Sequence, residues 1–423
     1  MSTSLGETTD IVEEPPSTTG TLGSAMRDYV TRVRGGDVGS IPAVLGLVVL
    51  VAVFSIMRPS TFTNSFNFSN LLHQSAAVIV IAMGLVFVLL LGEIDLSAGY
   101  SAGVAAAVMG IAATKHDWPW WAAILACLAT GVVIGTGIGL LVARLGIPSF
   151  VVTLAAFLGL QGVLLKLIGE GGTISIASNS VLVGINNDNL PLALGWILAA
   201  GTIVIYAYVS IRRASLRRAG GLDAAPLAVI LAKVAVLAVL LLAATAFLSR
   251  ERSKNPVAVS LKGVPVVVAL LLVLLIGLNF MLTRTAFGQH VYAVGGNAEA
   301  ARRAGINVFR VKLACFMIGS TLAAVAGVLI ASRDNSISPS SGGADTLLYA
   351  VGAAVIGGTS LFGGKGRVID AVLGGLVIAV IINGMGLLDV KQSVVYIVTG
   401  IVLLVAASVD ALSRRRATST GRL

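Results

Sequence analysis

Two carboxylates, Glu93 and Asp95, stand in the run Gly92-Glu93-Ile94-Asp95-Leu96-Ser97-Ala98-Gly99, flanked on both sides by long apolar stretches. An ionised side chain at the centre of a bilayer costs about 2.5–3.5 kcal/mol on insertion scales, so such a group faces a cavity, a partner or the interface. Two readings follow. In one, a helix is broken here, Asp95 caps the second half, and Glu93, Asp95 and Ser97 line a solute path. Carboxylates accept hydrogen bonds from sugar hydroxyls well. In the other, the run is a tight cytoplasmic turn with Asp95 as an ordinary helix N-cap. The readings overlap, because a cap at a broken helix can also line a path.

A second break, Ile356-Gly357-Gly358-Thr359-Ser360-Leu361-Phe362-Gly363-Gly364-Lys365-Gly366, superficially suggests a phosphate loop. A phosphate loop needs Ser or Thr after Gly-Lys, and here Gly366 follows Lys365. The chain is therefore not expected to bind ATP this way. The glycine pairs serve sharp turns or close packing instead. Like the first break, this one interrupts apolar sequence and precedes an apolar helix, which hints at a weak internal repeat and adds Thr359 and Ser360 to the path candidates. The third motif is Asn297-Ala298-Glu299-Ala300-Ala301-Arg302-Arg303-Ala304-Gly305. Asn297 is suited to cap a short helix, Glu299 to sit in its first turn, and Gly305 to end it. The result reads as a surface helix that presents Ala300 and Ala301, either a plain amphipathic loop or a docking element. His73, His116 and His290 are scattered, with no metal-ligand spacing and no nucleophile constellation, and read as loop or interfacial residues. Neither an enzyme, a resident metal nor a bound cofactor is expected. Cys127 and Cys315 lie in apolar runs and read as small buried hydrophobes.

The elements that position these residues follow from composition. The chain has 423 residues, 57% apolar and 11% charged, with a mean hydropathy of +0.97. No soluble fold hides this much apolar surface. Spans of about 20 apolar residues cross the hydrocarbon core as helices. The expected fold is an all-α integral membrane protein, a polytopic bundle of about ten to twelve transmembrane helices with broken or re-entrant segments. Candidate spans run near 41–57, 75–92, 96–114, 121–143, 147–168, 191–211, 227–249, 265–283, 311–331, 347–362, 368–385 and 393–408. The short, Gly-rich 347–362 run is the one that could re-enter. A polar tail and basic segment (1–40) precedes the transmembrane domain (41–410), and a basic tail (411–423) follows. Nothing in the tail resembles a cleaved leader. The +10 net charge is not a nucleic-acid footprint, because the basic residues cluster at span ends. Of the 29 Lys and Arg, 19 fall on the side that holds both termini, which predicts cytoplasmic termini. Trp118, Trp120 and Trp121 fit an outer interfacial belt.

Glu299-Ala300-Ala301, with Gly305 four residues beyond, resembles the loop that permeases of ATP-binding cassette importers insert into their ATPase subunits. From about Asn67 to Arg416 the chain resembles the ribose/xylose branch of these permeases. The supporting motifs are Glu93–Gly99, Ile147-Pro148-Ser149-Phe150-Val151-Val152-Thr153-Leu154, Tyr292–Asn297 and Ile356–Gly364. Glu93, where many relatives carry Gly, and the apolar runs between Pro191 and Ser249 resemble xylose-type members. The resemblance implies a permease that moves a monosaccharide, a pentose such as xylose, through a bacterial inner membrane. It also implies a cytoplasmic ATP-binding subunit, an extracytoplasmic sugar-binding protein and a second permease copy as partners. Asn297, Glu299, Ala300, Ala301 and Gly305 would form the coupling segment. The alternative is an ion-coupled secondary sugar transporter using Glu93 and Asp95, against which a docking helix argues.

Overall fold

A computed structural model describes residues 40–419 other than 223, 254 and 257–259, with the backbone alone for 409–419. Residues 1–39 of the expected N-terminal tail and the end of the basic C-terminal tail lie outside the described residues. In chain order the elements are α1 (Ile41–Met57), α2 (Pro59–Phe62), α3 (Ser65–Leu90), α4 (Ala98–Lys115), α5 (Trp120–Ala143), α6 (Ser149–Ile168), β1 (Ile174–Ser175), α7 (Ser180–Asn187), α8 (Leu192–Ala219), α9 (Leu227–Leu248) and α10 (Val266–Arg284). Then come α11 (Ala286–Gly296), α12 (Ala298–Arg303), α13 (Val308–Asp334), β2 (Ser336–Ile337), α14 (Ala344–Gly357), α15 (Val368–Leu387) and α16 (Gln392–Ser419).

Each predicted apolar run is helical. Among the described residues, 8 helices are long and apolar enough to cross a membrane: α3, α5, α6, α8, α9, α10, α13 and α15. α1, α14 and residues 392–408 of α16 are shorter apolar helices. The protein is an all-α polytopic membrane protein. Its core is built from α3, α13 and α15, mostly buried, with the Ala- and Gly-rich α4 among them. α8 and α9 leave most of their apolar side chains exposed, as lipid-facing helices do, while α10 is partly buried and packs its leucines against the core. Gly131, Gly135 and Gly139 recur every fourth residue along α5 and let α13 approach closely. A Cβ on Gly135 would lie 2.6 Å from Phe316 O.

The bundle has two ends. One carries the turns after α3 and α5, the α11–α12 segment and the 358–367 turn, and Ser40 accepts a hydrogen bond from Arg367 there (3.0 Å). We term it the basic end. The far end carries the antiparallel β1–β2 pair, in which Ile174 opposes Ile337, together with α7 and the loop between α9 and α10.

Some boundaries differ from expectation. α3 starts at Ser65, ten residues before the predicted span. Asn64 Oδ1 caps it by accepting from Phe66 N (2.9 Å), and Asn67 and Asn383 of α15 exchange two side-chain hydrogen bonds of 2.9 Å. α14 ends at Gly357, not Phe362, because Gly358 turns into the left-handed region at φ 115°. Its 14 residues cover only ~21 Å. The turns on either side complete the passage from the far end to the basic end, so this segment crosses rather than re-enters. α16 continues to Ser419, past the expected start of the basic tail.

Candidate functional site

The three glycine-bearing motifs meet at the basic end. Gly364 N donates to Leu90 O at the end of α3 (2.9 Å). Gly295 of α11 sits against the same carbonyl, so close that a Cβ there would lie 1.8 Å from Leu90 O. Only glycine permits that approach. Tyr292 OH donates to Gly366 O (2.7 Å), closing the junction from the α11 side. The runs 92–99, 292–297 and 356–366, far apart in sequence, thus form one backbone-to-backbone joint.

From this joint the chain turns back into the bundle. Glu93, mostly buried, pairs with Lys312 of α13. Ile94 is held by both backbone groups: its N donates to Ser149 Oγ (3.1 Å), and its O accepts from Thr153 Oγ1 (3.2 Å). The Ile147–Leu154 motif therefore anchors the break to the start of α6. Asp95 is buried, and its Oδ1 accepts from Ser97 N (2.8 Å) and Ser97 Oγ (2.6 Å). The N-cap position of α4 is Ser97, so Asp95 is not the cap residue itself; it bonds the cap from two residues upstream. Its Oδ2 has no hydrogen-bond partner among the described residues and faces Gly319, where a Cβ would stand 4.0 Å away. Gly319 lies eleven residues along α13 from Val308, ~17 Å from the basic end. Asp95 thus belongs to the bundle interior, and Glu93 to the joint below it. Thr359 and Ser360 are buried in the adjoining turn. Ser360 Oγ accepts from Phe362 N (3.2 Å), and Thr359 Oγ1 has no partner among the described residues.

The far end holds a polar cavity of about 240 Å³ that sequence reasoning missed. His73, Gln74, Asn186, Arg333, Asp334, Ser340, Thr346 and Tyr349 are among its walls, and Ala77, Val78 and Gly342 also line it. His73 is a residue of α3 near its far-end start, and its Nδ1 lies 3.3 Å from Asn186 Oδ1. Asn186 Nδ2 donates to Leu329 O (3.1 Å) and Asn186 N to Ser332 Oγ (2.8 Å), which binds the small helix α7 to α13. Val78 and Val88 are ten residues apart on α3, so ~15 Å separates the cavity lining from the level of Asp95. His116 follows α4 at the far end, and His290 is exposed on α11. Among the described residues no group of His, Cys, Asp and Glu could hold a metal ion.

The expected coupling segment is α12. Asn297 Oδ1 accepts from Ala300 N (2.9 Å), Glu299 pairs with Arg302 (3.0 Å) and Arg303 (3.5 Å), and Gly305 adopts φ 85°. Asn297, Glu299, Ala300 and Gly305 are exposed. Ala301 is not presented as expected: it is 5% exposed and packs against the bundle. In a helix of one and a half turns neighbouring residues face different ways, so only Ala300 of the pair is free.

Residues 67–407 match the family described as branched-chain amino acid transport system / permease component. The xylose transport system permease protein XylH of Escherichia coli is 39% identical over 375 residues, 87% of this chain and 92% of the relative. XylH of Haemophilus influenzae is 36% identical over 88% of this chain and 96% of the relative. The ribose import permease protein RbsC of Escherichia coli is 28% identical over 87% of this chain and 92% of the relative. No solved structure matches significantly. With a family match spanning the bundle from α3 to α16, and glycine joints that hold it together, the chain belongs to the permease components of the branched-chain amino acid transport system family.

Proposed function

We propose that this chain is the membrane-spanning permease subunit of an ATP-binding cassette importer for a pentose, with xylose the favoured sugar. The observation that carries the reading is nearly full-length similarity to xylose permeases at 39% identity. The polar cavity at the far end supports it. Its hydroxyl, amide, imidazole and carboxylate groups match the donors and acceptors of a small neutral sugar. In this reading the far-end cavity receives the sugar from an extracytoplasmic binding protein. Asp95, Ser97, Thr359 and Ser360 line the path below it, and Glu93 with Lys312 closes its inner end. The excess of Lys and Arg at the basic end supports a cytoplasmic placement of that end and of both termini. The exposed face of α12 docks a cytoplasmic ATP-binding subunit, which carries the nucleotide, while this chain needs no cofactor. A second copy completes the pore.

The test is uptake of labelled xylose in a bacterium lacking its own xylose permease. Expression of this chain with its partner subunits is expected to restore uptake, with unlabelled xylose competing better than ribose or glucose. Uptake restored for ribose and not xylose would overturn the choice of sugar. Uptake of neither, with the complex assembled in the membrane, would overturn the pentose reading.

A further inference from the structure

The α8–α9 hairpin is fastened to the bundle at the far end. There Leu190 N donates to Val264 O (2.7 Å), and Val266 N donates to Asp188 O (3.0 Å). Arg252 donates to Asn189 Oδ1 (2.8 Å) and Gly263 O (3.1 Å), and the Phe68 and Phe247 rings meet edge to face at 5.8 Å. Toward the basic end no hydrogen bond or ion pair among the described residues joins α8 or α9 to α10. A groove of about 690 Å³ opens there between the three helices. Its apolar lining includes Ile205, Leu237, Ile276 and Phe280, and Arg212, Arg213 and Arg284 lie at its basic-end limit. Among the described residues no carboxylate lines it.

The depth of these residues identifies the occupant. α8 and α10 leave the far end together, where Asn189 pairs with Pro265. Arg212 lies 20 residues along α8 and Arg284 18 residues along α10, ~30 Å and ~27 Å, one hydrocarbon thickness from the start. The three arginines thus leave their helices at nearly the same depth, at the edge of the hydrocarbon layer beside the lipid phosphates. The groove runs ten residues inward to Thr202, ~15 Å, the depth of one leaflet. Three cations at headgroup level over an apolar slot are complementary to a negatively charged lipid. Arginine is suited to the phosphate, which it can grip with two donors.

We propose that this groove is a binding site for an anionic phospholipid, its phosphate held by Arg212, Arg213 and Arg284 and one acyl chain lying along Ile205, Ile276 and Phe280. The lipid fills the space between the peripheral hairpin and the bundle. The proposal requires only that the chain spans a membrane and is independent of the transported sugar.

Native mass spectrometry of the full-length chain, extracted from nanodiscs of equal phosphatidylglycerol and phosphatidylcholine, tests it. The wild type is expected to retain one phosphatidylglycerol in preference to phosphatidylcholine. Removing the arginines singly (Arg212→Gln, Arg213→Gln, Arg284→Gln) should lower that preference roughly fivefold for each charge. Arg250→Gln, at the far end, should leave it unchanged. Ile276→Trp, which narrows the slot and keeps every charge, should reduce retention of both lipids. Equal retention of the two lipids by the wild type would overturn the proposal, and so would a preference that survives loss of all three arginines in a protein of normal thermal stability. A Tyr206→Cys cross-link between two copies at high yield would also overturn it, by giving the groove to a second permease.

Discussion

Ala300 and Ala301 are neighbours with opposite surroundings, and the difference is measurable. Ala300 is exposed on α12, whereas Ala301 is packed against the bundle. Ala301→Asp buries an unpaired charge and should cost about 3 kcal/mol, seen as lower thermal stability and lower membrane levels. Ala300→Asp should leave both intact and instead abolish co-purification with the ATP-binding subunit. The reverse pattern would mean that α12 presents its other face. At Asp95, replacement by Asn keeps the Oδ1 acceptor for Ser97 N and Oγ but exchanges the unpartnered Oδ2 for an amide group. Membrane levels should hold while xylose uptake falls roughly tenfold, the worth of one hydrogen bond to the solute. Uptake like that of the wild type would assign Asp95 to folding alone. The sequence made these carboxylates conspicuous because charge inside an apolar run is costly. It did not reveal Lys312 as the partner of Glu93 or the far-end cavity, since both depend on which helices lie side by side. His73 looked bland for the same reason: its partner Asn186 is 113 residues away.

Elements were legible to the extent that hydropathy alone defines them. Every predicted apolar run is a helix, because a lipid-facing stretch must satisfy its backbone internally. The polar first part of α3 was not legible, as it depends on the Asn67–Asn383 pair. Nor were α7, α11 and the β1–β2 pair, which are short and stabilised by tertiary contacts. The described residues of the 249–265 loop are organised by Glu251. That carboxylate accepts from the backbone N of Arg252 (2.9 Å), Ser253 (2.9 Å) and Leu261 (3.0 Å) and from Ser260 Oγ (2.8 Å). These donors, chiefly the Ser253 and Leu261 amides, hold it at a pKa of about 2 against an ordinary 4.5. A depressed pKa contributes stability above the ordinary value, and that contribution is lost as pH falls from about 4.5 through about 2. Hydrogen exchange at the Ser253 and Leu261 amides, corrected for intrinsic rate, should therefore be protected at neutral pH and accelerate over that window. Glu251→Gln should weaken the protection at neutral pH and remove its pH dependence. Protection unchanged in the variant would show that the loop is held by other contacts.

At the scale of the molecule, the arrangement separates three tasks along one axis. A polar cavity opens at the far end, a buried carboxylate lies deeper in the bundle, and a glycine joint at the basic end connects the inner break to α11 and α12. Movement of α12 by a docked partner would be transmitted through Gly295 and Tyr292 to Leu90 and the 358–367 turn, and from there to Glu93 and Asp95. In the proposed reading that route would give an ATPase a mechanical hold on the path. The decisive measurement is xylose flux into proteoliposomes holding this chain alone, or this chain with its ATP-binding subunit and sugar-binding protein. The account predicts no accumulation by the chain alone under a proton or sodium gradient, and accumulation by the complete assembly only when ATP is present. Gradient-driven accumulation by the chain alone would contradict it and establish an ion-coupled transporter.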